Sequence, residues 1–362
     1  MTLSKHLLDL AIQIQQIPAP TFAEGPRAEF VRDLFTKENL EDVSMDSLGN
    51  VFARLPGKQK KAKPLIVSAH TDTVFPAGTK LQVREEAGKV FGPGIGDNSI
   101  GVAALFGIFW ALRERGILLE HDVWFAANVG EEGLGDLRGM RGVVERFGEH
   151  VVGYLVLEGL ALGHIYHRAI GVRRYRITAK TRGGHSWSDY GNPSAVHELA
   201  SMVTQLTQIR LPREPRTTMN VGTIQGGTGV NVLAAEAKCE LDLRSEDPAV
   251  LAKVVAQVED IILHWAREGV KIQAEIIGER PAGEIPAVHP FVKQAVNCVR
   301  EQGLDASLTS GSTDANVPLS RGIPAVVMGI TTGGGAHTLN EFIDTEPIEK
   351  GLESLVKFVL TT

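Results

Sequence analysis

Cysteine is scarce. Cys239 and Cys298 are the only two in 362 residues, and they form no C-x-x-C pair. That excludes a disulfide framework and fits a reducing compartment. Aromatic residues are few, at 6%, and basic residues do not outnumber acidic ones: the formal net charge is −6. There is no basic stripe of the kind that neutralises phosphates, so nucleic acid is not an expected partner. Long apolar runs are missing as well. No stretch reads as the roughly 18–20 apolar residues that a membrane span needs. The N-terminal MTLSKHLLDLAIQIQQIPAP sets Leu7, Leu8, Ala11, Ile12, Ile14 and Ile17 at helical spacing among polar residues. That is an amphipathic helix and lacks the continuous apolar core of a signal peptide. The expectation is a cytoplasmic chain that uses no membrane.

What remains is ordinary globular composition, 43% hydrophobic and 22% charged, in a chain too long for one comfortable core. Leu65–Ala69, Val123–Ala127, Tyr154–Leu157 and Ala325–Met328 are short apolar runs of the parallel-strand kind. Ile100–Arg115 and Ile348–Leu360 read as helices, the second with Thr345 and Pro347 at its start. Strands alternating with helices predict an α/β domain with a mostly parallel sheet, over 1–170 and 281–362. The stretch 171–280 reads differently. Strand-like Arg174–Lys180, helical Ala195–Ile209, strand-like Thr218–Gln225 and Ala235–Arg244, helical Pro248–Arg267 and strand-like Val270–Ile277 give the order β-α-β-β-α-β. That order predicts an inserted ferredoxin-like α+β domain.

Five short segments carry residues suited to metal binding: S-A-H70-T-D72-T, G-P-G-I-G-D97-N, N-V-G-E131-E132-G, L-V-L-E158-G and T-G-G-G-A-H337-T. Four follow predicted strands and the fifth precedes a predicted helix. In an open α/β sheet, ligands bind beyond the carboxyl ends of the strands, so the five converge. Two histidines with several carboxylates form a nitrogen/oxygen donor set suited to zinc, and also to cobalt or manganese. Two sites sharing one carboxylate need two histidines and at least three carboxylates, and that number is present. Ions so paired sit roughly 3.5–4 Å apart. Any one of these residues alone has a plain structural reading, a helix cap or a surface charge. Adjacent Glu131 and Glu132 after a buried strand are harder to read so, because their repulsion calls for a compensating cation.

In this order and over nearly the whole chain, the segments resemble the signature of the M20 metallopeptidases, a family that includes peptidases, carboxypeptidases and N-acyl amino acid deacylases. The resemblance implies a zinc-exopeptidase-like domain interrupted by a dimerisation or lid domain. It implies that His70, Asp97 and Glu158 hold one metal and Asp97, Glu132 and His337 the other, with Asp97 bridging. Asp72 would orient His70 through its far ring nitrogen, and Glu131 would be the general base. A cis peptide after Asp97 is implied too. Position 158 carries Asp in some members and Glu in others.

The inserted stretch R-G-G-H185-S-W-S-D-Y-G-N-P-S-A is similar to the family segment whose histidine polarises the scissile carbonyl across a homodimer interface. Trp187 and Asp189–Tyr190 depart from the commoner continuation. Asn231 and Arg244 resemble a substrate-anchoring pair, and a strand-end Arg suits a carboxylate. An ion pair of Arg244 with Asp242 or Glu246 is the competing reading. Gly311–Asp314 resemble a further loop near the site.

The resulting expectation is an exopeptidase acting on short peptides, with an N-acyl amino acid deacylase as the alternative. Three rivals are weaker. A nucleotide-binding protein would explain the glycines of G92-P-G-I-G96, but neither G-x-G-x-x-G nor G-x-x-x-x-G-K-[ST] is present. A serine hydrolase built on Ser186 or Ser188 lacks the G-x-S-x-G elbow. A non-catalytic relative would be expected to have lost a ligand position, and none is lost.

Overall fold

The computed structural model describes residues 2–362. Its contacts divide the chain into two units. One runs to Ala169 and resumes at Glu284, and the other is Ile170–Gly283.

The first unit is built on a nine-stranded sheet among the described residues. The strands Val51–Leu55, Val123–Asn128, Leu65–His70, Gly153–Leu157 and Ala325–Met328 lie side by side in that order. The last four are mutually parallel. Leu65–His70 and Gly153–Leu157 are buried along their whole length, which is why their sequences are continuous apolar runs and do not alternate. Parallel strands start at one edge and end at the other, so His70, the turn at 129–132 and Glu158 all emerge on the same side.

The central helix Ile100–Glu114 is apolar nearly all round because it is core. Together with the preceding turn, residues Ile95–Glu114 are long and apolar enough to cross a membrane, and 89% of that window is buried inside the protein. The expectation that no stretch approaches this length is corrected here. Asp97, Asn98, Ser99, three glycines and three alanines interrupt the large apolar side chains of this stretch, and the small size of Gly101, Ala103, Ala104, Gly107 and Ala111 is what lets the helix pack on every side. A Cβ on Gly107 would lie 2.5 Å from Leu7 and 3.0 Å from Leu352, so this position admits the N-terminal and C-terminal helices closely. The N-terminal helix Leu3–Gln15 is capped by Thr2, whose hydroxyl accepts from the Lys5 amide at 3.3 Å, and it buries Leu7, Leu8, Ala11 and Ile14. The closing helix Ile348–Thr361 starts after Pro347 with no side-chain cap. Thr345, expected there, instead donates its hydroxyl to the Gly88 carbonyl at 3.0 Å.

The second unit is the β-α-β-β-α-β arrangement. Its sheet runs in the order Thr217–Gly226, Glu236–Ser245, Gly171–Lys180, Lys271–Arg280, all antiparallel. The helices Ala195–Leu206 and Pro248–Trp265 bury Leu199, Met202, Val254 and Val258 in a separate core. Pro248 sits at the first turn and the Asp247 carboxylate accepts from the Val250 amide at 2.8 Å, a well-formed helix start. The helix ends two residues before the expected Arg267, which bridges to Val270 in the turn that follows.

Candidate metal centre

His70 ends its buried strand with the side chain almost fully enclosed. Its Nδ1 lies 3.1 Å from the Asp72 carbonyl oxygen and 3.6 Å from the Asp72 carboxylate. That occupies Nδ1 as the donor and turns Nε2 outward. Nε2 then meets Asp97 Oδ1 at 3.1 Å and Glu158 Oε2 at 3.7 Å. The other oxygen of Asp97, Oδ2, meets His337 Nε2 at 3.1 Å, and His337 Nε2 lies 3.4 Å from Glu132 Oε1. One carboxylate therefore faces two imidazoles, one through each oxygen.

Three groupings have all their donor atoms within 4.8 Å of one another: His70–Asp97–Glu158, Asp97–Glu132–His337 and His70–Glu131–Glu132. The first two share Asp97. The third brings Glu131 to the same place.

The electrostatics follow from packing carboxylates together out of water. Burial opposes a charge on His70, but Asp72, Asp97 and Glu158 outweigh it and raise its pKa well above the usual value. Asp97 is pushed upward by burial and pulled further down by His337 and His70, so it is held below the usual carboxylate range. Burial pushes Glu158 up to about 7, with Asp97 and Asp314 adding to the rise against His70. His337, hydrogen-bonded to Asp97 and Glu132, is raised to about 10. Four carboxylates gathered around two imidazoles outnumber them even when both histidines carry a proton. Two divalent cations would match the excess. The donor set of imidazole and carboxylate suits zinc, cobalt or manganese.

Buried polar side chains hold the loops that carry these ligands, and of these only Asp72 was marked out by the sequence. Asp72, fully buried, accepts from the Glu131 amide at 3.0 Å, the Glu132 amide at 3.0 Å and the Thr21 hydroxyl at 2.9 Å. Arg27 donates to the Thr71 carbonyl at 2.7 Å and to the Ile17 carbonyl at 2.7 Å. Asn98 donates to the Leu157 carbonyl at 2.8 Å and accepts from the Gly159 amide at 3.0 Å, flanking Glu158 on both sides. Glu341 accepts three amides from the Asp97 loop. Burial pushes Glu341 up to about 7 against those amides, and Asp97 adds to the rise. The Asp97–Asn98 peptide is cis.

His337 does not sit at a strand end. The chain leaves Ala325–Met328, passes through the short strand Gly333–Gly334 paired with Phe342–Asp344, and reaches His337 beyond it. There His337 takes the left-handed conformation, φ 65°, which a side-chain-bearing residue adopts at some cost. Asp314 is fully buried, and its Oδ2 accepts from Asn128 Nδ2 at 2.7 Å.

The remaining expected residues lie in the second unit. His185 is exposed on a two-residue strand paired with Val232–Leu233. Its Nδ1 accepts from the amides of Trp187 at 3.2 Å and Ser188 at 3.4 Å, which leaves the ring proton of the neutral form on Nε2. Asn231 is exposed, and its carbonyl accepts from the Ser186 amide at 3.0 Å. Arg244 Nε donates to Asp242 Oδ2 at 2.7 Å, so the ion pair weighed against substrate anchoring is present.

Residues 66–361 match the model of peptidase family M20/M25/M40. The chain belongs to that family. Among solved structures it is similar to a tripeptidase from Staphylococcus aureus, at 21% identity and a TM-score of 0.82 over 99% of this chain and 98% of that one. It is also similar to the aminopeptidase PepT from Bacillus cereus, at 23% identity and a TM-score of 0.80 over 98% of each chain. A third likeness is to a dinuclear metal-binding peptidase of the M20 family from Bacillus subtilis, at 17% identity and 0.72 over 99% of this chain and 98% of that one. At these identities the likeness establishes the fold.

Proposed function

We propose that this protein is a two-metal exopeptidase that cleaves the amide bond of short peptides. The observation that carries the reading is Asp97, with Oδ1 and Oδ2 each 3.1 Å from the Nε2 of a different histidine. His70, Asp97 and Glu158 would hold one zinc ion, and Asp97, Glu132 and His337 the other. When bound, the two ions supply the Lewis acidity that activates a water and polarises the scissile carbonyl.

The chain's own residues do the rest. Glu131, within 4.8 Å of His70 and Glu132 donor atoms, takes the proton from the attacking water as the C–O bond forms. It returns that proton to the amine as the C–N bond breaks. Asp72 fixes the orientation of His70 and the position of the Glu131–Glu132 turn. His185 offers Nε2–H to the developing oxyanion in the site of the partner copy, and Arg244 and Asn231 anchor the substrate, Arg244 by sharing its guanidinium between Asp242 and a substrate carboxylate. The unit Ile170–Gly283 pairs two copies, a reading supported by exposed Ile224, Leu263 and Ile276 on it. The two free, buried cysteines fit a cytoplasmic setting.

Peptides are preferred over N-acyl amino acids because the similar structures above include an aminopeptidase and a tripeptidase. The test is hydrolysis of a panel of di- and tripeptides and N-acyl amino acids before and after chelation, with zinc, cobalt or manganese added back. Peptide cleavage lost on chelation and restored by metal supports the reading. Preferential cleavage of N-acyl amino acids replaces the substrate assignment, and full activity in chelator refutes the metal centre.

A further inference from the structure

The loop Gly92–Asp97 has the glycine spacing of an anion-binding turn. Gly94 takes φ 75°, a left-handed conformation that glycine adopts freely. The turn it makes aims successive amides at one point, the concavity that elsewhere binds phosphate. Here the anion comes from the same chain. Glu341 Oε2 accepts from the Gly94 amide at 2.9 Å, and Oε1 accepts from the amides of Gly96 at 2.7 Å and Asp97 at 2.8 Å. Glu341 is fully buried, and its own carbonyl accepts from the Gly92 amide at 2.9 Å.

Glu341 also closes the loop that carries His337. Thr338 hydrogen-bonds back to the Gly335 carbonyl through its amide at 3.0 Å and its hydroxyl at 2.7 Å, and the Glu341 amide donates to the Thr338 carbonyl at 3.2 Å. Asp97 and His337 are thus set on two loops, 240 residues apart in sequence, whose bases are joined by the antiparallel pairing of Lys89–Phe91 with Phe342–Asp344 and whose tips dock through the Glu341 carboxylate. Glu341 hydrogen-bonds neither the His337 ring nor the Asp97 carboxylate; it holds their loops through backbone amides and otherwise acts on Asp97 only by charge repulsion.

We propose that Glu341 is a positioning residue for the metal centre: it sets the separation of Asp97 and His337 before any metal arrives. The inference rests on the two-metal reading for its functional consequence, though its structural half stands without metal. A carboxylate can satisfy three amides on two oxygens, whereas a glutamine must turn its NH2 toward at least one of them.

The experiment compares Glu341→Gln and Glu341→Asp with the wild-type protein, by zinc titration against a competing chelator and by peptide turnover at graded zinc. The expected result is zinc affinity weakened by roughly 10–100-fold in Glu341→Gln, a smaller loss in Glu341→Asp, and turnover that recovers as zinc is raised. A folded Glu341→Gln protein with wild-type zinc affinity overturns the proposal, and so does lost turnover that excess zinc does not restore. Hydrogen exchange on metal-free wild-type protein keeps the test open if the variants do not fold. Slow exchange at the Gly94, Gly96 and Asp97 amides supports the docked loop, and fast exchange there overturns it. A wild-type protein that takes up no metal would instead defeat the proposed function, which the exchange result would leave distinguishable.

Discussion

Replacing Asp72 with Asn removes one oxygen acceptor and one charge from a fully buried site, and the structure sets the size of the effect. In the wild type, Oδ1 accepts from the Glu131 amide, and Oδ2 accepts from the Glu132 amide and the Thr21 hydroxyl. The better placement of an asparagine keeps its oxygen at Oδ2, still accepting from the Glu132 amide and the Thr21 hydroxyl, and turns NH2 toward the Glu131 amide. Donor then faces donor, and one buried N–H is left without an acceptor at a cost of about 1–3 kcal/mol. The two surviving bonds change from charge-assisted to neutral, which weakens each by about half. Together these destabilise the 129–132 turn by about 2–4 kcal/mol. At 1.4 kcal/mol per tenfold, the Glu131 and Glu132 amides should exchange with solvent roughly 30–1,000-fold faster in Asp72→Asn than in wild type. The comparison is made on metal-free protein, so its outcome does not depend on the reaction. Unchanged exchange at both amides, in a variant that folds, would refute the reasoning.

Three further outcomes follow from the geometry. Glu131→Gln should keep both metals and lower kcat by roughly 10²–10⁴; near-normal turnover in steady-state assays would remove Glu131 as the base. His337→Ala should retain one ion per chain by elemental analysis, because His70 and Glu158 keep their places around Asp97; two ions would contradict the assignment. Without metal at pH 7, His337, raised to about 10, and His70, raised well above its usual value, hold protons, and Glu158, near 7, holds one part of the time. Metal ligands must shed those protons, so binding should release protons and affinity should fall as pH falls. Calorimetry in buffers of different ionisation enthalpy measures the release, and metal uptake with no proton release would contradict the arrangement.

The α/β fold and the inserted sheet were legible because burial leaves a strong mark on sequence. Leu65–His70 and Ala325–Met328 are enclosed on both faces, so they had to be short apolar runs. The gathering of His70, Glu131, Glu132 and Glu158 was legible for a related reason. A polar or charged residue directly after such a run stands out against its neighbours, and parallel strands bring those ends together. Glu341, Arg27, Asn98 and Thr21 carried no such mark. Each is a single polar residue in a polar stretch, and it acquires a role only when a distant loop folds against it. The glycines of G92-P-G-I-G96 were readable as an anion-binding turn, but nothing in the sequence says that the anion is Glu341. His337 likewise required the Gly333–Gly334 bridge, which no periodicity reveals in two residues. Ile95–Glu114 shows the opposite failure, because small residues made a span-length apolar helix look interrupted.

The central claim is that Asp97 is shared between two ions. Anomalous diffraction from zinc-loaded crystals tests it most directly. The account predicts two peaks per chain, roughly 3.5–4 Å apart, one against His70, Glu158 and an oxygen of Asp97, the other against His337, Glu132 and the second oxygen. A single peak, or two peaks that do not share Asp97, would contradict it.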